Sequence, residues 1–265
     1  MRILATLIFT SLLTGCSGQK QEVRFKHCPI DESRGIVFIA DGAGGFFGIS
    51  KALNKSVKKL NLPLCLSTEK WTHGYRRVLA DHIDRLHCIS EGKRIAQKVL
   101  RYRKHNPDRM IYLFGHSAGC AVALCIAENL PPNTVDNIIL LSPSISCGYD
   151  LRPSLRSSRK GIDVFYSGSD RYLQIPMWIL GNSDRRWRAS AGRVGFQPGD
   201  VSMEDEHLFQ KLRQHAWKEE YQALDHDGGH FGGYKAKYLE KHILPLMPSY
   251  RSEITPPLLQ SEVVR

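Results

Sequence analysis

The stretch Met110-Ile111-Tyr112-Leu113-Phe114-Gly115-His116-Ser117-Ala118-Gly119-Cys120-Ala121-Val122-Ala123-Leu124-Cys125-Ile126-Ala127-Glu128 decides the fold. The residues before Gly115 are apolar and rich in strand formers, and those after Gly119 make an apolar, helix-like run. Between them, Gly115-His116-Ser117-Ala118-Gly119 spells G-x-S-x-G. The bare pattern is common by chance, and an ordinary Gly-Ser turn is the alternative reading. Strand, tight turn and helix in that order make it a nucleophile elbow. The glycines leave room for a strained turn that lifts the serine hydroxyl to the carboxyl end of a sheet.

Working outward, Gly35-Ile36-Val37-Phe38-Ile39-Ala40 is a continuous apolar run, as expected of a strand buried on both faces. It breaks into the glycine-rich loop Asp41-Gly42-Ala43-Gly44-Gly45. A helix is expected over about 47–60 and a short strand at Leu64-Cys65-Leu66. A second helical pattern over 80–104 stops at Asn106-Pro107-Asp108. Strands follow at 137–142 and 162–167, a last strand is expected shortly before residue 225, and a C-terminal helix at Tyr234–Ile243. This alternation predicts an α/β fold whose mostly parallel central sheet carries helices on both faces. With 265 residues, 42% of them hydrophobic, one core suffices, and residues 34–248 read as a single domain. Residues 249–265, with Pro256 and Pro257, read as an extended tail.

The N-terminus reads as a targeting segment. Met1-Arg2 is a positive start, Ile3 to Leu13 is apolar but short for a bilayer span, and the run ends in Leu13-Thr14-Gly15-Cys16. This resembles a bacterial lipobox, which implies removal of residues 1–15 and a lipid on Cys16, with 16–33 as the lipidated N-terminus and tether. Export and a membrane anchor follow from that resemblance. Ser17 after the cysteine leans towards the outer membrane, and an ordinary signal peptide is the rival reading. An exported chain can oxidise its cysteines. Cys28, Cys65, Cys88 and Cys147 are the better disulfide candidates, whereas Cys120 and Cys125, on one expected helix, read as small buried hydrophobes. The formal net charge of +11 suits an anionic surface or simply a solvated basic face. The basic clusters at 152–160 and 185–193 sit in no nucleic-acid motif, so no nucleic-acid partner is expected.

A serine is a poor nucleophile until a base lies within reach and an acid orients that base. Ser167-Gly168-Ser169-Asp170 follows directly on the strand ending near residue 166, which puts Asp170 at the carboxyl edge of the sheet. Asp170 could instead cap a helix starting near Tyr172. Asp200 and Asp227 are rivals for the acid, and Asp163 lies inside a strand. The base is read in Asp225-His226-Asp227-Gly228-Gly229-His230-Phe231, as His230, with His226 as its neighbour and rival. The chain order Ser117, Asp170, His230 matches the order such triads take on this kind of sheet. The oxyanion donors are expected from the N–H of Ala118 and from the glycine-rich loop, at Ala43 or Gly44. That loop lacks the Lys-[Ser/Thr] and the spacing of a phosphate-binding turn.

With these residues in view, the chain resembles the α/β-hydrolase superfamily over about residues 33–245. The resemblance implies an eight-stranded, mostly parallel sheet and an ester- or amide-cleaving triad needing no metal or cofactor. Its expected substrate is an ester-containing small molecule or lipid. Two departures stand out: Asp41 replaces the usual histidine of the oxyanion loop, and the short link between 142 and 162 leaves little or no room for a cap. Segment 171–215 is a candidate insertion or lid, carrying Ile175, Met177, Trp178 and Ile179. A carboxylesterase or lipase is the leading expectation. A peptidase, thioesterase or acyltransferase on the same fold, or a binding lipoprotein without chemistry, are the alternatives.

Overall fold

The computed structural model describes residues 35–173 and 181–247. The expected signal peptide, Cys16, Cys28, the tail beyond 248 and the lid residues Ile175, Met177, Trp178 and Ile179 lie outside the described residues. Six strands form one sheet: β1 (Gly35–Ala40), β2 (Leu64–Thr68), β3 (Met110–His116), β4 (Asn137–Leu141), β5 (Ile162–Tyr166) and β6 (Leu212–Ala216). Their order is β2-β1-β3-β4-β5-β6, and every pairing is parallel. The α/β-hydrolase expectation of a parallel sheet wound on both faces holds. Eight strands were implied, and six are present among the described residues.

The alternation of side chains explains the layers. Phe38 and Ala40 of β1, Ile111 and Leu113 of β3, and Ile138 and Leu140 of β4 point to one core. There they meet the helices α3 (Arg85–His105), α4 (Gly119–Glu128) and α5 (Arg152–Ser157). Val37, Ile39, Tyr112, Phe114, Ile139 and Leu141 point to the other core, under α1 (Gly48–Lys59) and the C-terminal turns. Because both faces are covered, the strands read as unbroken apolar runs. Helix α4 is buried from Gly119 through Ala127, so it too lacks a polar face. It can lie close to α3 because Gly92 has no side chain: a Cβ there would sit 2.5 Å from the Cβ of Cys125.

Three elements differ from the sequence expectation. The pattern over 80–104 is two helices, α2 (Val78–Ile83) and α3, because Asp84 breaks the first and accepts the His87 N–H at 2.9 Å as cap of the second. The expected C-terminal helix is a chain of short turns, Gly232–Tyr234, Ala236–Tyr238, Leu239–Ile243 and Leu244–Leu246. Pro245 has no N–H to return to the preceding turn. The last strand, β6, is polar and half exposed. It is held by charge: buried Asp163 on β5 accepts from Arg213 Nη2 at 2.6 Å and His215 Nε2 at 2.8 Å. Burial pushes the Asp163 carboxyl up, but those bonds and one from Asn137 outweigh it and hold its pKa down at about 2.

Of the disulfide candidates, Cys88 and Cys147 are buried thiols, as are Cys120 and Cys125. Cys88 faces Cys125 across α3 and α4, with the Arg85 guanidinium 3.6 Å and 3.3 Å from the two sulfurs. Among the described residues no helix is long and apolar enough to cross a membrane.

Candidate active site

The chain leaves β1 towards β2 on one side and returns to β3 on the other, so the strand order reverses between β1 and β3. At such a switch point the loops leaving the strands part and open a crevice at the carboxyl edge. The loop 41–45 follows β1 and the sequence Ser117-Ala118-Gly119 follows β3, so both candidate segments meet there.

Ser117 has φ of 55°, in the left-handed region. A non-glycine residue there is strained, and such strain persists only where the surroundings enforce it. Here Ser117 N–H donates to the Leu141 carbonyl at 3.0 Å, and its own carbonyl accepts from Cys120 and Ser144 at 3.1 Å and 3.2 Å. Both flanking glycines are needed for space. A Cβ on Gly119 would lie 2.1 Å from the Ala40 carbonyl oxygen, and one on Gly115 would lie 2.7 Å from the Cys120 Cα. The sharp turn is thus wedged between the end of β1 and the start of α4.

His230 and Asp170 come together as a buried pair, Nδ1 to Oδ2, at 2.7 Å. A carboxylate only accepts, so the imidazole proton sits on Nδ1 and the lone pair is left on Nε2. Asp170 makes two contacts: Oδ2 lies against His230 Nδ1, while Oδ1 accepts the Leu173 N–H at 3.1 Å. The rival acids are elsewhere. Asp200 and Asp227 are exposed, and Asp227 accepts from Gly229 N–H two residues on. Asp163 is occupied by β6. His226 is buried apart from the pair, accepts the Gly228 N–H at 3.1 Å, and is pushed down to about 4 by burial.

Ser117 and His230 line the same cavity of about 300 Å³, together with Ala43 and Ala118. No hydrogen bond joins Ser117 Oγ to His230 among the described residues. Of the two loop candidates for an oxyanion donor, Gly44 spends its N–H on Asp81 Oδ2 at 2.7 Å, which leaves Ala43. Asp41, the unusual residue of this loop, is buried and turned towards the start of α1. It accepts from Ile49 N–H at 2.9 Å and from the Ser50 hydroxyl, and so caps α1 from outside. Burial raises its pKa.

Several site residues were not read from the sequence. Tyr172 stacks on the His230 ring, 4.7 Å between centroids and 16° between planes. Its place two residues after Asp170 was the available signal. His116, inside the motif itself, donates from Nε2 to the His230 carbonyl at 3.2 Å. Burial first, and the nearby His230 second, push His116 down to about 3. It therefore stays neutral beside the His230 ring. His82, Ser144, Phe46 and Phe231 also line the cavity.

No protein-family model matches this chain, and no curated protein matches it. Among solved structures it is similar to an α/β serine hydrolase without a lid from Xanthomonas campestris, at 15% identity and a TM-score of 0.44, over 84% of this chain and 85% of that one. It is also similar to a cutinase from Trichoderma reesei, at 14% identity and a TM-score of 0.40, over 61% of this chain and 73% of that one. A cutinase-like protein from Cryptococcus sp. gives 12% identity and a TM-score of 0.39, over 79% of this chain and 90% of that one.

Proposed function

We propose that this protein is a serine hydrolase that cleaves carboxylic esters. The observation that carries the reading is Ser117, held at φ of 55° on the elbow, in one cavity with a His230 whose Nδ1 is 2.7 Å from buried Asp170. Ser117 Oγ attacks the ester carbonyl carbon as its proton passes to His230 Nε2. Asp170 holds the ring in the required tautomer and stabilises the imidazolium. The N–H groups of Ala118 and Ala43 receive the developing oxyanion. The tetrahedral intermediate collapses, His230 returns the proton to the departing alcohol, and an acyl-Ser117 ester remains. Water, deprotonated by the same His230, then releases the acid and restores the serine.

The cavity wall favours an apolar group on the substrate, since Phe46, Val78, Leu79, Leu173 and Phe231 make up much of it. We read the sequence at 1–16 as placing this domain on a bacterial membrane through a lipid on Cys16. Cys16→Ser should abolish incorporation of labelled fatty acid.

The assignment of the acid is tested by Asp170→Asn beside Asp200→Asn. Asp170→Asn should lower kcat on a short-chain p-nitrophenyl ester by about 10⁴-fold, as in comparable triads, with the fold intact by circular dichroism. Asp200→Asn should leave it unaltered. The reverse outcome moves the acid to Asp200.

A further inference from the structure

One stretch of the cavity wall is polar and has no part in the triad. His82 on α2 and Ser144, just past β4, both line the cavity, and Ser183 lies behind them. The three side chains form a line. His82 Nε2 is 2.9 Å from the Gly181 carbonyl oxygen, His82 Nδ1 is 3.2 Å from Ser183 Oγ, and Ser183 Oγ is 3.2 Å from Ser144 Oγ. Backbone bonds fix the line in place. Ser183 N–H donates to the Ser144 carbonyl at 2.9 Å, and Ser144 N–H donates to the Ser117 carbonyl at 3.2 Å. Ser144 and Ser183 are both buried.

Counting protons gives the line a direction. A carbonyl only accepts, so a His82 ring with one proton carries it on Nε2, towards Gly181. Nδ1 then accepts, and Ser183 gives it the one proton that its hydroxyl owns. On this assignment the proton that bridges the two serines is that of Ser144. Ser144 therefore donates away from the cavity and turns lone pairs towards it. Beside Phe46, Val78 and Leu79, it is a fixed acceptor in an apolar wall, one backbone bond from the nucleophile.

We propose that Ser144 is a specificity residue that accepts a hydrogen bond from a substrate hydroxyl close to the scissile carbonyl. The substrate class is then a hydroxylated ester. This rests on the hydrolase reading of the same site. The hydroxyl could belong to the acyl chain or to the alcohol, and matched esters separate the two. On the acyl side, p-nitrophenyl 3-hydroxybutyrate is compared with the butyrate and the 3-methoxybutyrate. On the alcohol side, ethylene glycol monobutyrate is compared with ethyl butyrate in a pH-stat. All are measured at pH 8 on wild type, Ser144→Ala and Ser183→Ala.

The expected result is a five- to tenfold preference in kcat/KM for the hydroxylated member of at least one set, about what one net hydrogen bond supplies. Ser144→Ala should erase it. Ser183→Ala frees the Ser144 proton to point into the cavity, so the methoxy ester, which only accepts, should gain on the hydroxy ester. A purely structural role for Ser183 does not produce that reversal. Equal rates within every set on wild type, or a preference that survives Ser144→Ala, overturn the subsite and leave the hydrolase reading standing. A protein that cleaves none of the esters and takes no fluorophosphonate overturns both.

Discussion

At Ser117, geometry and chemistry are in tension. A side chain at φ of 55° costs roughly 1 kcal/mol or more relative to glycine. Ser117→Gly should therefore be more stable than Ser117→Ala by about 1 kcal/mol in urea unfolding, with both variants inactive. Equal stabilities would mean that the elbow is relaxed. The positions of the proposed triad, Ser117, Asp170 and His230, could be picked out in the sequence because each sits at a punctuation mark: a G-x-S-x-G, the end of an apolar run, and a glycine-rich loop. Those of Tyr172, His116, Ser144 and His82 could not. Their roles depend on contacts across the fold, such as the stacking of Tyr172 on His230, that no local pattern announces.

Among the elements, the apolar strands and α4 were readable because burial on both faces leaves a long hydrophobic run. A last strand was expected, but β6 falls at Leu212–Ala216, mostly inside the stretch read as an insertion or lid, because Arg213, Gln214 and His215 look like a solvated loop until the buried carboxylate of Asp163 on the neighbouring strand holds them as an edge strand. The break between α2 and α3 was hidden because Asp84 sits within an uninterrupted helical periodicity. The packing of α3 on α4 makes a sharper test. Gly92→Ala places a methyl 2.5 Å from the Cys125 Cβ, so the helices must part. The variant should lose about 1–3 kcal/mol, with Tm falling by roughly 2–4 °C for each kcal/mol. An unchanged Tm would mean that the two helices are not packed at this distance.

Across the whole molecule, the switch point between β1 and β3 gathers at one edge residues that lie far apart in sequence. The same burial makes stability depend on acid. His116 and His226 have pKa values of about 3 and about 4 in the folded chain, below the ordinary 6.5. Between those values and 6.5 the unfolded chain binds the protons that the folded chain excludes. Their contribution is complete above pH 6.5 and drains away as pH falls towards 4, by at most about 1.4 kcal/mol per pH unit for each ring. Asp163, held at about 2, adds a second loss below its ordinary 3.8. Urea midpoints measured from pH 7 to 4 should fall steadily, and His116→Gln, which keeps a donor but cannot titrate, should flatten the slope by about half. A flat profile in the wild type would show that neither ring is held neutral.

The central claim is that Ser117 is a nucleophile activated by His230 and Asp170. Its most direct test is intact-mass analysis of residues 17–265 after exposure to a fluorophosphonate probe, with Ser117→Ala alongside. The account predicts one phosphonyl adduct per chain on wild type, mapped to the Ser117 peptide, and none on Ser117→Ala. A folded wild-type protein that stays unlabelled, or an adduct that persists in Ser117→Ala, would contradict it.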